Sequence, residues 1–180
     1  MKTLIIVTHP NMDTSIVNKR WIEELRKYPE KYTVHELYKA YPDGKIDVEK
    51  EQQLVEAHDK LVLQFPLYWW SSPPLLKQWF DEVFTHGWAY GSEAKALINK
   101  KTALAVTAGG TEHDLSVEGT LGKTLEQYLF PFETTLSYCK TNYHSFFVFY
   151  GAEHYLADNS DLPLILDRSA QGYVEFLDKL

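Results

Sequence analysis

Residues Leu61 to Phe84 read LVLQFPLYWWSSPPLLKQWFDEVF. The apolar run Leu61–Phe65 predicts a buried strand, and Pro66 bounds it because proline cannot donate to a ladder. Pro73 and Pro74 suit a first helical turn, with Ser71 and Ser72 available as N-caps. Leu76, Trp79 or Phe80, and Val83 or Phe84 then recur at three- and four-residue steps, which is the spacing of one helix face. Between strand and helix stand Leu67, Tyr68, Trp69 and Trp70. Connections are built mostly from polar and turn-forming residues, so three consecutive rings need a use. They cover a sheet edge or a subunit contact, or they offer a platform to a flat ligand.

Working outward, the same strand–loop–helix alternation recurs. Lys2–Thr8 predicts a strand, His9–Thr14 a polar loop, and Ser15–Lys27 a helix with Val17, Trp21, Leu25 and Tyr28 on one face. Tyr32–Leu37 and Thr102–Thr107 predict further strands, and Asn142–Tyr150 a fifth. Helices are predicted at Val48–His58, Lys123–Leu129, Glu133–Tyr138 and from about Leu164 to Leu180. Strands alternating with helices imply an α/β fold, a doubly wound five-stranded parallel sheet with helices on both faces. The 180 residues are expected to form a single domain, residues 1–180.

The charge balance excludes some partners. A net charge of −7 with scattered Lys and Arg argues against nucleic acid, whose phosphate backbone wants a basic face. The one cysteine, Cys139, cannot form an internal disulfide. No secretion signal or membrane-spanning run is read, so the cytoplasm is the expected compartment. The seven histidines lack ligand spacing, and no metal site is expected.

In doubly wound sheets ligands bind beyond the carboxyl ends of the strands, at the switch in strand order. Three loops meet that condition. The first leads into Ser15, Ile16, Val17 and Asn18, where a helix start offers free N–H groups to an anion, with His9 beside it. The second carries Leu67, Tyr68, Trp69 and Trp70. The third, Thr107-Ala108-Gly109-Gly110, contains glycines that let a planar ligand approach backbone donors. An anion pocket, a stacking wall and a bare-backbone wall fit flavin mononucleotide (FMN). No glycine-rich triphosphate or dinucleotide fingerprint is present. A helix terminus contributes about 0.3–2 kcal/mol to phosphate binding. A nanomolar ligand needs about 12 kcal/mol. The ring system must supply most of the difference.

Taken together these segments resemble the flavodoxin-like NAD(P)H:quinone oxidoreductases, especially the short bacterial branch that includes general stress protein 14 and ancillary subunits of potassium-efflux systems. The matching stretches are Leu4–Pro10, Ser15–Asn18, Tyr41–Asp43, Gln64–Trp70 with Pro73–Lys77, His86–Gly91 and Thr107–Gly110. The resemblance implies that His9 and Ser15–Asn18 hold the phosphate and ribityl chain. It implies that Leu67–Trp70 line the isoalloxazine and that Thr107–Gly110 bond its polar edge. It also implies ping-pong hydride transfer from NAD(P)H to FMN and on to a quinone. A homodimer with its site near the interface is expected from the wide apolar arc Leu75, Leu76, Trp79, Phe80, Val83 and Phe84, and the resemblance points the same way. FAD in place of FMN stays open, as do nitro- or azo-compound reduction and service as a transporter subunit at the inner face of the membrane.

Two departures stand out. Ala108 replaces the second Thr of the family's Thr-Thr-Gly-Gly. The long animal members also carry a Tyr and a His, five and eleven residues past that motif, which stabilise charge during hydride transfer. Leu115 and Leu121 stand there in this chain. His113 is the one nearby candidate for the catalytic role.

Overall fold

The computed structural model describes residues 1–153 and 160–180. Its centre is one all-parallel sheet of strands β1 (Thr3–Val7), β2 (Tyr32–Glu36), β3 (Lys60–Pro66), β4 (Lys101–Thr107) and β5 (Asn142–Phe149), in the order β2-β1-β3-β4-β5. β1 pairs with β2 on one side and β3 on the other, so the chain changes direction of winding there. β1, β3 and β4 are nearly all buried, because layers on both faces cover them, and their sequences are accordingly continuous apolar runs.

Six helices flank the sheet among the described residues: α1 (Val17–Leu25), α2 (Leu37–Ala40), α3 (Val48–Glu56), α4 (Pro74–Val83), α5 (Leu125–Tyr138) and α6 (Leu162–Lys179). One face packs Ile5, Val7, Val62, Ala103 and Ala105 against Trp21 and Leu25 of α1 and Tyr173 and Leu177 of α6. The other packs Leu4, Ile6, Leu61, Leu63, Leu104 and Val106 against α3, α4 and α5. Strand alternation sends neighbouring residues to opposite layers, which is why Leu4 and Ile5 belong to different cores. No described helix is long and apolar enough to cross a membrane.

The structure departs from the sequence reading in two places that matter. Pro131 suggests a break between two helices, yet α5 runs unbroken through it. A reciprocal capping box between Thr124 and Gln127 starts the helix, and Leu125, Leu129, Phe132 and Leu136 are buried on one stripe. Packing of that stripe outweighs the one backbone bond that proline forfeits. The wide apolar arc of α4 invites a partner subunit, but Leu75, Leu76, Trp79, Phe80, Val83 and Phe84 are all buried within this chain. Phe80 meets Phe132 of α5 and Phe84, and Trp79 donates to Glu51. The arc is used up internally.

Glu51 is fully buried and accepts from Tyr41 Oη at 2.6 Å and Trp79 Nε1 at 2.8 Å, with His35 Nε2 2.8 Å away. Burial pushes its pKa up, but these hydrogen bonds outweigh burial and hold it below the ordinary value. The carboxylate therefore joins β2, the turn after α2, α3 and α4. A depressed folded-state pKa gives stabilisation that is complete above the unfolded carboxylate's pKa and is lost as pH falls through the folded value. The window is acidic, below about pH 4. Glu51→Ala leaves buried donors unpaired and should cost about 3 kcal/mol or more. Urea unfolding at pH 7 and at pH 3.5 checks both statements: the difference between wild type and variant should shrink at the lower pH.

Candidate flavin site

The carboxyl ends of β1, β3 and β4 are tied together before any ligand is considered. Thr8 N donates to Gln64 O at 2.8 Å, and Leu67 N donates to Thr107 O at 2.7 Å. Beneath them Asn18 Nδ2 donates to Thr107 Oγ1 at 2.9 Å, and Gln64 Nε2 donates to Asn18 Oδ1 at 3.1 Å. Thr8 Oγ1 and Gln64 Oε1 are buried with no described partner.

Above this network a cleft of about 290 Å³ opens, lined by His9, Thr14, Ser15, Ile16, Val17, Asn18, Pro66, Leu67, Tyr68, Thr107, Gly109, Ala152 and Glu153. Its volume is at the low end for a small-molecule site. A cleft of about 470 Å³ lies on the other side of His9, among the charged side chains of α1 and α2. The smaller one is the candidate because it alone of the two sits over the switch between β1 and β3.

Three features of the cleft bear on chemistry. The first is the start of α1. Its N-cap is Ile16, with no side-chain cap, while Ser15 N donates to Met12 O to close a 3-10 turn. The Ser15 hydroxyl is thus not spent on capping, and the first N–H groups of the helix stay open to an anion. The second is Gly109, whose bare backbone forms one wall. The third is His9, half-buried, which accepts from Asn11 N at Nδ1 (3.2 Å). That bond assigns the neutral ring's proton to Nε2. Burial lowers the pKa of His9, so the neutral donor form prevails at pH 7.

The cleft gathers His9, Ser15, Ile16, Val17, Asn18, Leu67, Tyr68, Thr107 and Gly109. Asn18 contributes its backbone start of helix; its side chain is committed to Thr107 and Gln64 below the floor. Ala108 is buried beneath the wall, and Gly110 accepts from Gly151 N at 2.8 Å. Trp69 and Trp70 do not line the cleft. Tyr68 N donates to Ser71 O and Ser71 N to Tyr68 O, at 2.9 and 3.0 Å, which closes a tight turn. Its central residues Trp69 and Trp70 have φ of +49° and +57°. Two left-handed tryptophans are strained, at about 1–2 kcal/mol each. Trp70 leans on Tyr128 of α5 at 6.2 Å, whereas Trp69 is 87% exposed. His113 occupies an exposed turn away from the cleft.

Sequence reasoning missed Ala152 and Glu153. They follow β5, whose carboxyl end lies on the same sheet edge, and that topology is the signal that could have found them. Ala108 N donates to Phe149 O, Ala152 N to Ala108 O and Gly151 N to Gly110 O, so the segment is zipped to the glycine wall.

The residues fit a flavin phosphate at the start of α1 and a planar ring between the Leu67–Tyr68 segment and Gly109. The family described as having a flavodoxin-like fold matches residues 1–171. The chain belongs to that flavodoxin-like family. Within it, the chain is 44% identical over 177 residues to a Bacillus subtilis (strain 168) protein named uncharacterized NAD(P)H oxidoreductase YrkL, covering 98% of each. It is 47% identical to general stress protein 14 of Treponema denticola, solved in complex with FMN, covering 99% of each chain with a TM-score of 0.92. A P. pentosaceus structure described as an NADPH-quinone reductase is 29% identical, covers 95% of this chain and 96% of its own, and gives a TM-score of 0.81.

The strained turn gives a test. Trp69 loses little packing when replaced, and asparagine tolerates its backbone. Trp69→Asn should therefore raise the unfolding stability of the single protomer, by up to about 1 kcal/mol. Denaturant midpoints at dilute protein, where protomers stand apart, check it, and a fall in stability there would show that the left-handed backbone at Trp69 carries no strain.

Proposed function

We propose that this chain is an FMN-dependent NAD(P)H:quinone oxidoreductase working by a ping-pong cycle. The observation that carries the reading is the uncapped start of α1 facing the Gly109 wall across one cleft at the sheet's switch point. The FMN-bound relative and the NAD(P)H oxidoreductase and quinone reductase names of similar proteins support it.

A bound flavin supplies hydride acceptance from nicotinamide and hydride donation to a quinone. The protein's part is to bind, orient and exclude water. The N–H groups at Val17 and Asn18 and the Ser15 hydroxyl hold the phosphate, and His9 Nε2–H donates beside them. The Leu67–Tyr68 segment and the Gly109 backbone hold the ring, with donors that do not titrate. Leu115 and Leu121 have aliphatic side chains, so neither can deliver a proton. Protons reach the acceptor from solvent.

The active form is a homodimer. Trp69, Phe130 and Tyr138 are exposed at 87%, 61% and 69%, and rings of that size on one chain's surface favour a partner. A second copy of this chain seated there would bring new surface beside the aromatic turn.

The purified protein should be yellow and release FMN on heating. Anaerobic NADPH should bleach it and a quinone should restore the colour, with parallel lines in double-reciprocal plots. A colourless protein that takes up neither FMN nor FAD would overturn the proposal. His113→Ala should change quinone turnover by less than about tenfold, since a general acid contributes about 10²–10⁴-fold. The rate should vary little between pH 6 and 8. A steep histidine-like profile removed by His113→Ala would assign that residue the proton.

A further inference from the structure

The cleft's polar groups are unevenly divided. Along α1 and at His9 they are donors or hydroxyls, and among the described lining residues there is neither Lys nor Arg. The one carboxylate is Glu153. Its side chain lies against Gly109: a Cβ at residue 109 would come within 2.6 Å of the Glu153 carboxyl carbon and of Oε1. This placement is held by the backbone bonds that zip Phe149–Ala152 onto Ala108–Gly110. Gly109 is therefore bare toward a carboxylate as well as toward a ligand.

The position of Glu153 says which part of a flavin it would meet. Ala152, beside Glu153, packs into the layer that α1 and α6 form on one face of the sheet. The aromatic turn leads into α4 on the other face. Glu153 thus lies against Gly109 on the α1 side of the cleft, in a lining it shares with Ser15–Asn18. A flavin carries its hydroxylated chain between phosphate and ring, and each chain hydroxyl is a donor that needs an acceptor. An ionised carboxylate accepts only, and hydrogen bonds to it are about twice as strong as neutral ones.

Resting on the flavin reading above, we propose that Glu153 is a specificity residue. Its carboxylate accepts hydrogen bonds from the ribityl hydroxyls and selects a polyol-bearing flavin over one with a plain chain. The arrangement is complementary end to end: donors of α1 for the phosphate, an acceptor at Glu153 for the hydroxyls, and the Gly109 backbone for the ring.

The test titrates flavin-free protein with FMN and with its phosphopentyl analogue, which keeps ring and phosphate but lacks the chain hydroxyls. Flavin fluorescence reports binding for wild type, Glu153→Gln and Glu153→Ala, and circular dichroism reports folding. Both variants should bind FMN about tenfold or more weakly. They should bind the analogue as wild type does, so that wild type's preference for FMN collapses. Unchanged FMN affinity, an equal loss for both ligands, or tighter FMN binding through relief of charge repulsion would each overturn the proposal. Wild type that binds neither ligand would instead overturn the flavin reading itself.

Discussion

The hydrogen bonds among Asn18, Gln64 and Thr107 hold the site together. Each residue comes from a different element: Asn18 from α1, Gln64 from β3, Thr107 from the end of β4. All three are buried, where an unpaired amide or hydroxyl costs about 1–3 kcal/mol. Satisfying them fixes where α1 starts relative to the two strands, and so fixes the distance between the proposed phosphate and ring positions. The buried Thr8 hydroxyl and Gln64 carbonyl, lacking described partners at the same level, are the remaining polar cost of that floor.

On this floor the walls can be unusual. The turn at Trp69 and Trp70 puts two bulky residues where asparagine and glycine are the ordinary choices. Local propensity opposes it, and the hydrogen-bonded ends at Tyr68 and Ser71 together with Trp70 against Tyr128 hold it closed. Strain of this kind persists where surroundings over-determine a conformation, and it gathers at sites that bind. Trp70 is held by its packing on Tyr128, whereas the Trp69 ring, 87% exposed, gains little from folding.

Much of the fold was legible because its signals are local. Apolar runs at Leu4–Val7 and Leu61–Phe65, and the proline start of α4, each announce an element without long-range information. The five-stranded parallel sheet follows from such signals along the chain, and the flavodoxin-like fold from the resemblance of its loop motifs. What escaped depended on tertiary context. The continuity of α5 through Pro131 rests on Phe132 packing against Phe65 and Phe80, which no window of sequence displays. The direction of the Trp69 and Trp70 rings rests on two backbone dihedrals. In the site, the loops were legible as loops because the switch-point rule selects them, but side-chain assignments within them were not. Asn18 looks like a ligand donor and is an internal brace, while Glu153, in a stretch with no motif, stands in the cleft.

The loss of the Tyr and His that long relatives carry fits this internal economy. Leu115 packs into the core beside α5 and accepts from Leu125 N at 3.2 Å, which docks the start of that helix. A tyrosine there would bring a hydroxyl into an apolar layer and would need a partner. The chain instead keeps an apolar anchor there, and under the proposed function charge stabilisation falls to N–H groups on the glycine wall. Backbone donors are fixed by the β4–β5 zipper, need no side-chain ordering and hold one protonation state at every working pH. A site built this way gives up proton delivery from a side chain and keeps a geometry that pH does not disturb. That exchange is consistent with the proposed hydride transfer, whose acceptor water can protonate.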